Sequence, residues 1–538
     1  MSETTAARQR GTLAPLRNAT FRWLWIASVV SNVGTWMQNV GAAWLMALLT
    51  PSPLYVALVQ SSTSLPVFLL GIPAGALADI VDRRKLLLWT QGGMLAAAGI
   101  LGVMTLAGYT GPWSLLLLTF ALGVGSTMNG PAWNAIMPEL VPREELPAAI
   151  ALNSAGFNLA RAVGPALGGA VLAAASAGPA FLLNAVSFVG VMVVLWMWRR
   201  RPRDHAHAEE RISSAMLAGI RYVRFAPPMH AVLLRSAAFV TPASALWAIL
   251  PLLAKTELRL GSTGYGVLLG CLGAGSVLGA TVLSRLRERF SPNLLVSAAT
   301  TSFGCVAASL YWLHHFGFVC LVLVAGGMSW MTVNSNLNIA TQTTAPSWVR
   351  ARALGMYLLV FQSAMAVGSA LAGAIAERFG VRTTLFAAGL TLFVSATVTF
   401  RLKLGSSEPS ETLAKPHWPE PTMALDIHPD SGPVLVAVEY QIDLARRAEF
   451  IRVMQGMRTI RRRDGAMRWS LFEDAAAPGR MRESFLVESW AEHLRQHERM
   501  TAADRDVQAS AHAFHLGDGA PPVTHWVAAE PSEEEADE

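Results

Sequence analysis

Nineteen consecutive residues, "AFLLNAVSFVGVMVVLWMW" at 180–198, carry no charge. As a helix such a run rises ~28 Å, close to the ~30 Å of a bilayer's hydrocarbon core. Backbone groups in hydrocarbon must satisfy one another, so only helices or a closed barrel can cross it. No strand-like alternation accompanies these runs, and helices remain. Twelve such segments are predicted: near 21–48, 54–78, 86–108, 112–138, 146–174 and 178–198, then near 229–254, 263–284, 292–313, 317–341, 350–376 and 382–402. With 53% hydrophobic and 14% charged residues, the chain reads as a multi-span membrane protein.

Charge divides the chain. Residues 1–404 hold 28 Lys+Arg against 12 Asp+Glu, whereas residues 405–538 hold 14 against 24 and lack any long apolar run. The predicted organisation is a six-helix bundle at 1–198, a central linker at 199–228, a second bundle at 229–403, a linker at 404–432, a small soluble domain at 433–530 and an acidic tail at 531–538. Arg8, Arg10, Arg17 and Arg22 precede or begin the first apolar segment, which at about 27 residues reads as a span rather than a cleaved signal. The cysteines, Cys271, Cys305 and Cys320, all fall in predicted spans, so no disulfide framework is expected.

Twelve spans place both termini on one side. The loops on that side hold 22 Lys+Arg; the opposite loops hold only Lys255, Arg259, Arg378 and Arg382. The positive-inside rule then makes both termini cytoplasmic. The bundles are also copies. Shifted by 204 residues, "FNLARAVGPALGGAV" (157–171) meets "FQSAMAVGSALAGAI" (361–375) with nine of fifteen identical, and the same shift puts Asn134 on Asn338, Gly71 on Gly275 and Gly75 on Gly279. A duplicated six-helix unit is a parallel repeat of the transporter kind.

Between the second and third spans stands "GALADIVDRRK" (75–85). It resembles the Gly-x-x-x-Asp-Arg-x-Gly-Arg-Arg signature of the major facilitator superfamily. Gly75, Asp79, Arg83 and Arg84 match; Ile80 stands where a base is usual and Asp82 where glycine is usual. The Asp-Arg-Arg form resembles the branch around the enterobactin exporter. The resemblance implies an all-α, twelve-helix fold of two repeats and a cytoplasmic latch. In it Gly75 permits close helix approach, Asp79 accepts from a neighbouring helix N-terminus, and the arginines bridge to a carboxylate, Glu139 or Glu144. In the fifth span, Gly164-Pro165-x-x-Gly168-Gly169 resembles the motif of antiporters that export their substrate. Ordinary small-residue packing is the alternative, since the second-half copy "AVGSALAGA" keeps small residues at these positions without the proline.

Polar residues inside spans mark a pathway or bind helices together. Arg161 lies about 15 residues into its span, ~22 Å along it, and either faces a cavity or satisfies itself on backbone carbonyls. Arg235, nearer a span end, is expected to snorkel. The superfamily lines its cavity with the first, fourth, seventh and tenth helices. That resemblance puts Asn32, Trp36, Gln38, Asn39, Asn129, Trp133, Asn134, Asn334 and Asn338 on the substrate path, with Asn158 and Arg161 from the fifth. No acid lies deep in a span, so proton coupling rests on the resemblance. No phosphate-binding glycine loop occurs, which disfavours ATP drive.

After residue 433, "VLVAVEYQ" alternates like a strand, and Phe450, Met454, Met457 and Ile460 mark one helix face. Two strand-like stretches, a helical run through 490–514 and a last strand near 523–528 complete a βαββαβ order, a ferredoxin-like α+β domain. With "FLVESWAEHLRQHERMT" it resembles antibiotic-biosynthesis-monooxygenase-like domains, which commonly pair through their sheets. His493 and His497 are four apart but lack a third ligand, so they read as solvated surface histidines and no metal is expected.

The combined expectation is a secondary transporter of a bacterial cytoplasmic membrane, without catalytic residues, cofactor or nucleic-acid partner. It would export a small amphipathic molecule, a siderophore or drug, by alternating access with the proton drive that the resemblance implies. Its partners are the substrate, the bilayer and a second copy through the tail domain. Uptake of a small metabolite is the first alternative, and monooxygenase activity in the tail is the second.

Overall fold

The structure, a computed structural model, describes residues 13–198, 212–346, 348–404, 427–429 and 431–528. The chain divides into two compact units. One comprises Met1–His207, Leu233–Leu337 and Leu358–Leu402; the other comprises Ala208–Val232, Asn338–Tyr357 and Lys403–Glu538.

Six long helices form the first repeat: α1 (Ala19–Leu49), α2 (Pro53–Ile80), α3 (Arg83–Leu106), α4 (Pro112–Leu140), α5 (Leu146–Ala175) and α6 (Ala177–Met197). A shorter helix, α7 (Ile212–Phe225), precedes the second repeat: α8 (Pro227–Leu252), α9 (Ser262–Arg289), α10 (Pro292–Ser309), α11 (Phe316–Thr344), α12 (Arg350–Phe379) and α13 (Val381–Thr399). Among the described residues, ten of these helices are long and apolar enough to cross a membrane. The central connection expected at 199–228 lies outside the described residues up to 211, as do most of the 404–432 linker and the 531–538 tail.

Local chemistry sets the helix ends. Asn18 Oδ1 accepts from the Thr20 and Phe21 amides to start α1, while its Nδ2 donates to Leu140 O at 2.8 Å and ties α1 to the end of α4. Proline fills the first turn of α2, α4 and α10, where its missing N–H costs nothing. Ser176, at φ 73°, breaks α5 from α6. Phe21, Leu86, Ile136 and Leu195 bring α1, α3, α4 and α6 into one apolar core. In the second repeat, Trp330 of α11 packs against Phe239 and Trp247 of α8, Phe303 of α10 and Phe361 of α12, with ring centroids 5.4–6.0 Å away.

The tail is an α+β domain: β1 (Val434–Gln441), α14 (Arg447–Asp464), β2 (Arg468–Glu473), β3 (Arg480–Val487), α15 (Trp490–Arg499), α16 (Ala502–His512) and β4 (Val523–Val527). Its strands are antiparallel in the order β2-β3-β1-β4. Val438, Tyr440 and Met481 of the sheet pack on Phe450, Met454 and Met457 of α14. The single helix expected through 490–514 is instead two. Thr501 accepts from the Asp504 amide while Asp504 accepts from the Thr501 amide, a capping box that starts a new helix.

Candidate functional site

The charged stretch at 79–85 caps and pairs within the first repeat. Asp82 Oδ1 accepts from the Lys85 amide and starts α3. Arg83 donates to Glu139 Oε1 at 3.0 Å and to Ala135 O at 3.1 Å, joining α3 to α4. Arg84 donates to Leu195 O and Trp196 O, the carbonyls at the end of α6, where a cation also meets the negative end of the helix dipole. Asp79 lies in the last turn of α2, and its side chain is outside the described residues. The close approach expected at Gly75 is not made here: an added Cβ would meet nothing within 4 Å. Its counterpart Gly279 does pack closely: an added Cβ there would lie 2.9 Å from Met328 Cα. Arg287, the counterpart of Arg83, donates to Asn336 Oδ1 at 3.1 Å on α11, so both repeats tie this loop to their fourth helix.

The glycines of the α5 motif face two ways. A Cβ on Gly164 would lie 2.5 Å from Trp36 Cβ, and one on Gly168 would lie 3.0 Å from Met37 Cα, both on α1. Gly169 faces α9 of the other repeat, where an added Cβ would stand 2.6 Å from Gly266 Cα. Pro165 sits between them inside α5. Other contacts across the two repeats join the same end. A Cβ on Gly373 would lie 2.6 Å from that of Ala57, Ser61 Oγ donates to Ala366 O at 2.8 Å, and Ser52 Oγ bonds Glu377 at 3.1 Å. Trp44 stacks on Tyr265 at 5.6 Å. Each of these lies toward the face opposite the Asp82–Arg84 loop.

The polar residues within spans separate into two kinds. Gln38 accepts from Asn184 of α6, and Asn129 accepts from Thr90 and Gln91 of α3, so these amides are engaged inside the first bundle. Trp133 Nε1 donates to Asn153, Asn334 donates to its own helix at Trp330 O, and Asn338 accepts from Gln342. Asn134 is exposed and, with Met137, Pro138, Leu146, Ile150 and Asn153, lines a crevice of about 210 Å³ between α4 and α5. Asn158 is exposed and donates to Ser154 O; Asn32, Trp36 and Asn39 are half-buried along one face of α1. Arg161, one turn beyond Asn158, is half-buried, and none of the described residues bonds its guanidinium. Arg235 does not snorkel. It is 2% exposed and donates through Nε to Thr399 O at the end of α13.

The second unit gathers the tail domain, α7 and the turn between α11 and α12. Arg221 of α7 donates to Gly465 O at 2.6 Å, Tyr222 donates to Thr344 O at 3.0 Å, and the Arg499 guanidinium lies 4.5 Å from the centre of the Trp348 ring. Arg499 also pairs with Glu492, and Arg463 bridges Asp464 and Asp504. Burial pushes the Tyr222 hydroxyl up to about 12. The surface position expected for His493 and His497 is overturned. His493 is 1% exposed, its Nε2 lies 3.2 Å from that of His497, and its ring centre is 4.7 Å from that of His525 on β4. The helix–sheet interface claims this face of α15, a tertiary contact invisible in a four-residue spacing. Among the described residues no three His, Cys, Asp or Glu side chains are placed to hold a metal ion.

A family model described as "Transmembrane secretion effector" matches residues 10–533. The staphyloferrin A transporter of Staphylococcus aureus is 21% identical over 69% of this chain and 93% of its own length. The multidrug efflux pump Tap of Mycobacterium tuberculosis is 22% identical over 70% and 91%. Among solved structures, an inward-facing bacterial homologue of the human lysosomal transporter Spinster superposes with a TM-score of 0.58 at 14% identity, covering 72% of this chain and 97% of that one. An inward-facing bacterial homologue of ferroportin gives 0.56 at 16% identity, over 71% and 98%.

Proposed function

Because the chain belongs to the transmembrane secretion effector family of major facilitator transporters, we propose that it exports a small amphipathic molecule, a siderophore or a drug, across a bacterial cytoplasmic membrane. Both termini are cytoplasmic in this reading, and the two bundles rock between inward-open and outward-open states with a proton gradient as the drive. The observation that carries it is a seal between the bundles: Gly169 on Gly266, Gly373 on Ala57 and Ser61 on Ala366, among the described residues, close the face opposite the Asp82–Arg84 loop. That is the pattern of an inward-facing state. The open space at Gly75 suits the same state, its close approach being made when the bundles rock the other way. The Arg83–Glu139 pair then belongs to the cytoplasmic latch, with Asp79, Asp82 and Arg84 beside it.

Accumulation of labelled siderophores and hydrophobic drugs, in cells with and without the gene across an imposed pH gradient, tests this. Cells carrying the gene should retain several-fold less of the substrate; retaining more would indicate uptake and overturn export. Arg161, with Trp36 and Asn158 nearby, suits an anionic group on the cargo. Arg161→Ala is expected to cut transport of an anionic substrate by about tenfold or more, the scale of one charge-assisted hydrogen bond, while Arg161→Lys keeps part of it. Equal transport by both variants and the parent would assign Arg161 to packing.

The tail is proposed to pair with a second copy. Register places Leu435, Trp526 and Leu486 side by side on the sheet face away from α14, and Phe472 lies on the same face. Leu435, Phe472 and Trp526 are 38%, 57% and 64% exposed.

A further inference from the structure

Bases on the sealed face run against the charge bias of the loops, so each needs a physical reason. Arg382 has one within its own bundle. Its Nη1 donates to Leu310 O, Tyr311 O and Leu313 O, carbonyls of the turn that follows α10, and its Nε pairs with Glu257 at 2.6 Å. Lys255 reaches further. It stands on a π-helical turn, Leu253–Glu257, that prolongs α8, and its ammonium donates to Ala47 O in the last turn of α1, in the other bundle.

The site on α1 is built to receive a cation. Carbonyls in a helix's last turn lack intrahelical partners and carry the negative end of its dipole. Ala47 is fully buried and Lys255 half-buried, so water competes poorly for the bond. Trp44, three residues before Ala47 on α1, stacks on Tyr265 of α9 and holds the same two bundles together beside it. π turns displace side chains from the α-helical register and recur at functional positions. Here the turn carries the one lysine of the face.

We infer that Lys255 is the outer gate latch: its ammonium fastens the end of α1 to the second bundle while this face is sealed, and releases it when the face opens. It is a positioning residue, touching no substrate, and the inference rests on the rocking-bundle reading above.

The test uses the full chain in nanodiscs with Cys271, Cys305 and Cys320 replaced by serine. Ser61→Cys serves as a probe within the seal, where Ser61 is 7% exposed, and Tyr109→Cys, at 79% exposure, is the always-open control. Lys255→Met should raise maleimide labelling at 61 by roughly tenfold, since one charge-assisted hydrogen bond is worth about that much in an equilibrium. Lys255→Arg, which keeps a cation, should label near the parental rate, and position 109 should not change. An unchanged rate in Lys255→Met, or an equal rise in Met and Arg variants, overturns the latch. Gly169→Leu obstructs the seal sterically without involving Lys255. If neither it nor Lys255→Met changes labelling, the rocking reading itself fails; if it alone does, only the latch fails.

Discussion

Gly169→Leu is expected to reduce transport by at least about tenfold while the protein still folds and inserts. The hydrogen at Gly169 is what allows α5 and α9 to meet backbone to backbone. A Cβ there would stand 2.6 Å from Gly266 Cα and 3.3 Å from its amide nitrogen, with no flexible side chain to yield. Overpacking of this kind costs ~1–3 kcal/mol. The cost falls on the sealed state alone, because the α5–α9 contact is part of the seal and not of either bundle's core. In the proposed cycle populations then shift toward the state open on that face, and turnover slows. Substrate efflux from inverted vesicles measures the loss. Gly93→Ala is the control, since an added Cβ at Gly93 meets nothing within 4 Å. Parental efflux by Gly169→Leu would mean that the seal is not a step in transport.

The same glycines show where sequence reading succeeds and where it stops. The stretch "RAVGPALGG" fixes where small residues occur, so close packing by α5 is legible. Which glycine faces which neighbour is a matter of helix rotation, and only the fold separates Gly164 and Gly168, turned to α1, from Gly169, turned to α9. The 204-residue repeat is legible in small residues that recur at one offset, Gly71 on Gly275 and Gly75 on Gly279, but the packing is not duplicated: an added Cβ would meet the Val324 backbone at Gly275 and the Met328 backbone at Gly279, and no other helix at Gly71. Gly75 carries the same sequence signal, yet a Cβ added there would meet nothing within 4 Å, so the glycine alone does not reveal whether a helix approaches it. Lys255 looked like an exception to a topology rule; its partner is a backbone carbonyl, which leaves no mark in a sequence. The family's helix positions put Gln38 and Asn129 on the pathway; the fold adds what the sequence does not show, that Gln38 accepts from Asn184 and Asn129 from Thr90 and Gln91 of the same bundle. The docking of Arg221 on Gly465 and of Arg499 on Trp348 joins segments far apart in the chain through residues that belong to no motif.

Mild acid should loosen the tail domain before it affects the membrane helices. Burial, and then the neighbouring imidazoles, hold His493 down at about 3; burial, and then the Arg461 charge, hold His497 down at about 4. Burial lowers His525 in the same direction. In the unfolded chain each returns to ~6.5. Between those values the unfolded state binds protons that the folded state refuses, so stability is complete above pH ~6.5 and falls as pH drops toward 4. A fully buried histidine contributes ~1.4 kcal/mol per pH unit, so His493 removes on the order of 2 kcal/mol by pH 5, and the more exposed His497 adds a smaller amount, screened by solvent. That is a sizeable fraction of the ~5–15 kcal/mol that holds an ordinary domain together. Hydrogen exchange of the full-length protein at pH 7.5 and pH 5, corrected for the intrinsic rate, should show strands β1, β3 and β4 losing protection while α3 and α6 keep theirs. His493→Gln combined with His497→Gln should flatten the difference, because an amide has no proton to gain. Protection in the tail that is equal at the two pH values would mean that the imidazoles charge without cost. The cluster against β4 would then be hydrated, and α15 would not be held to the sheet by neutral rings.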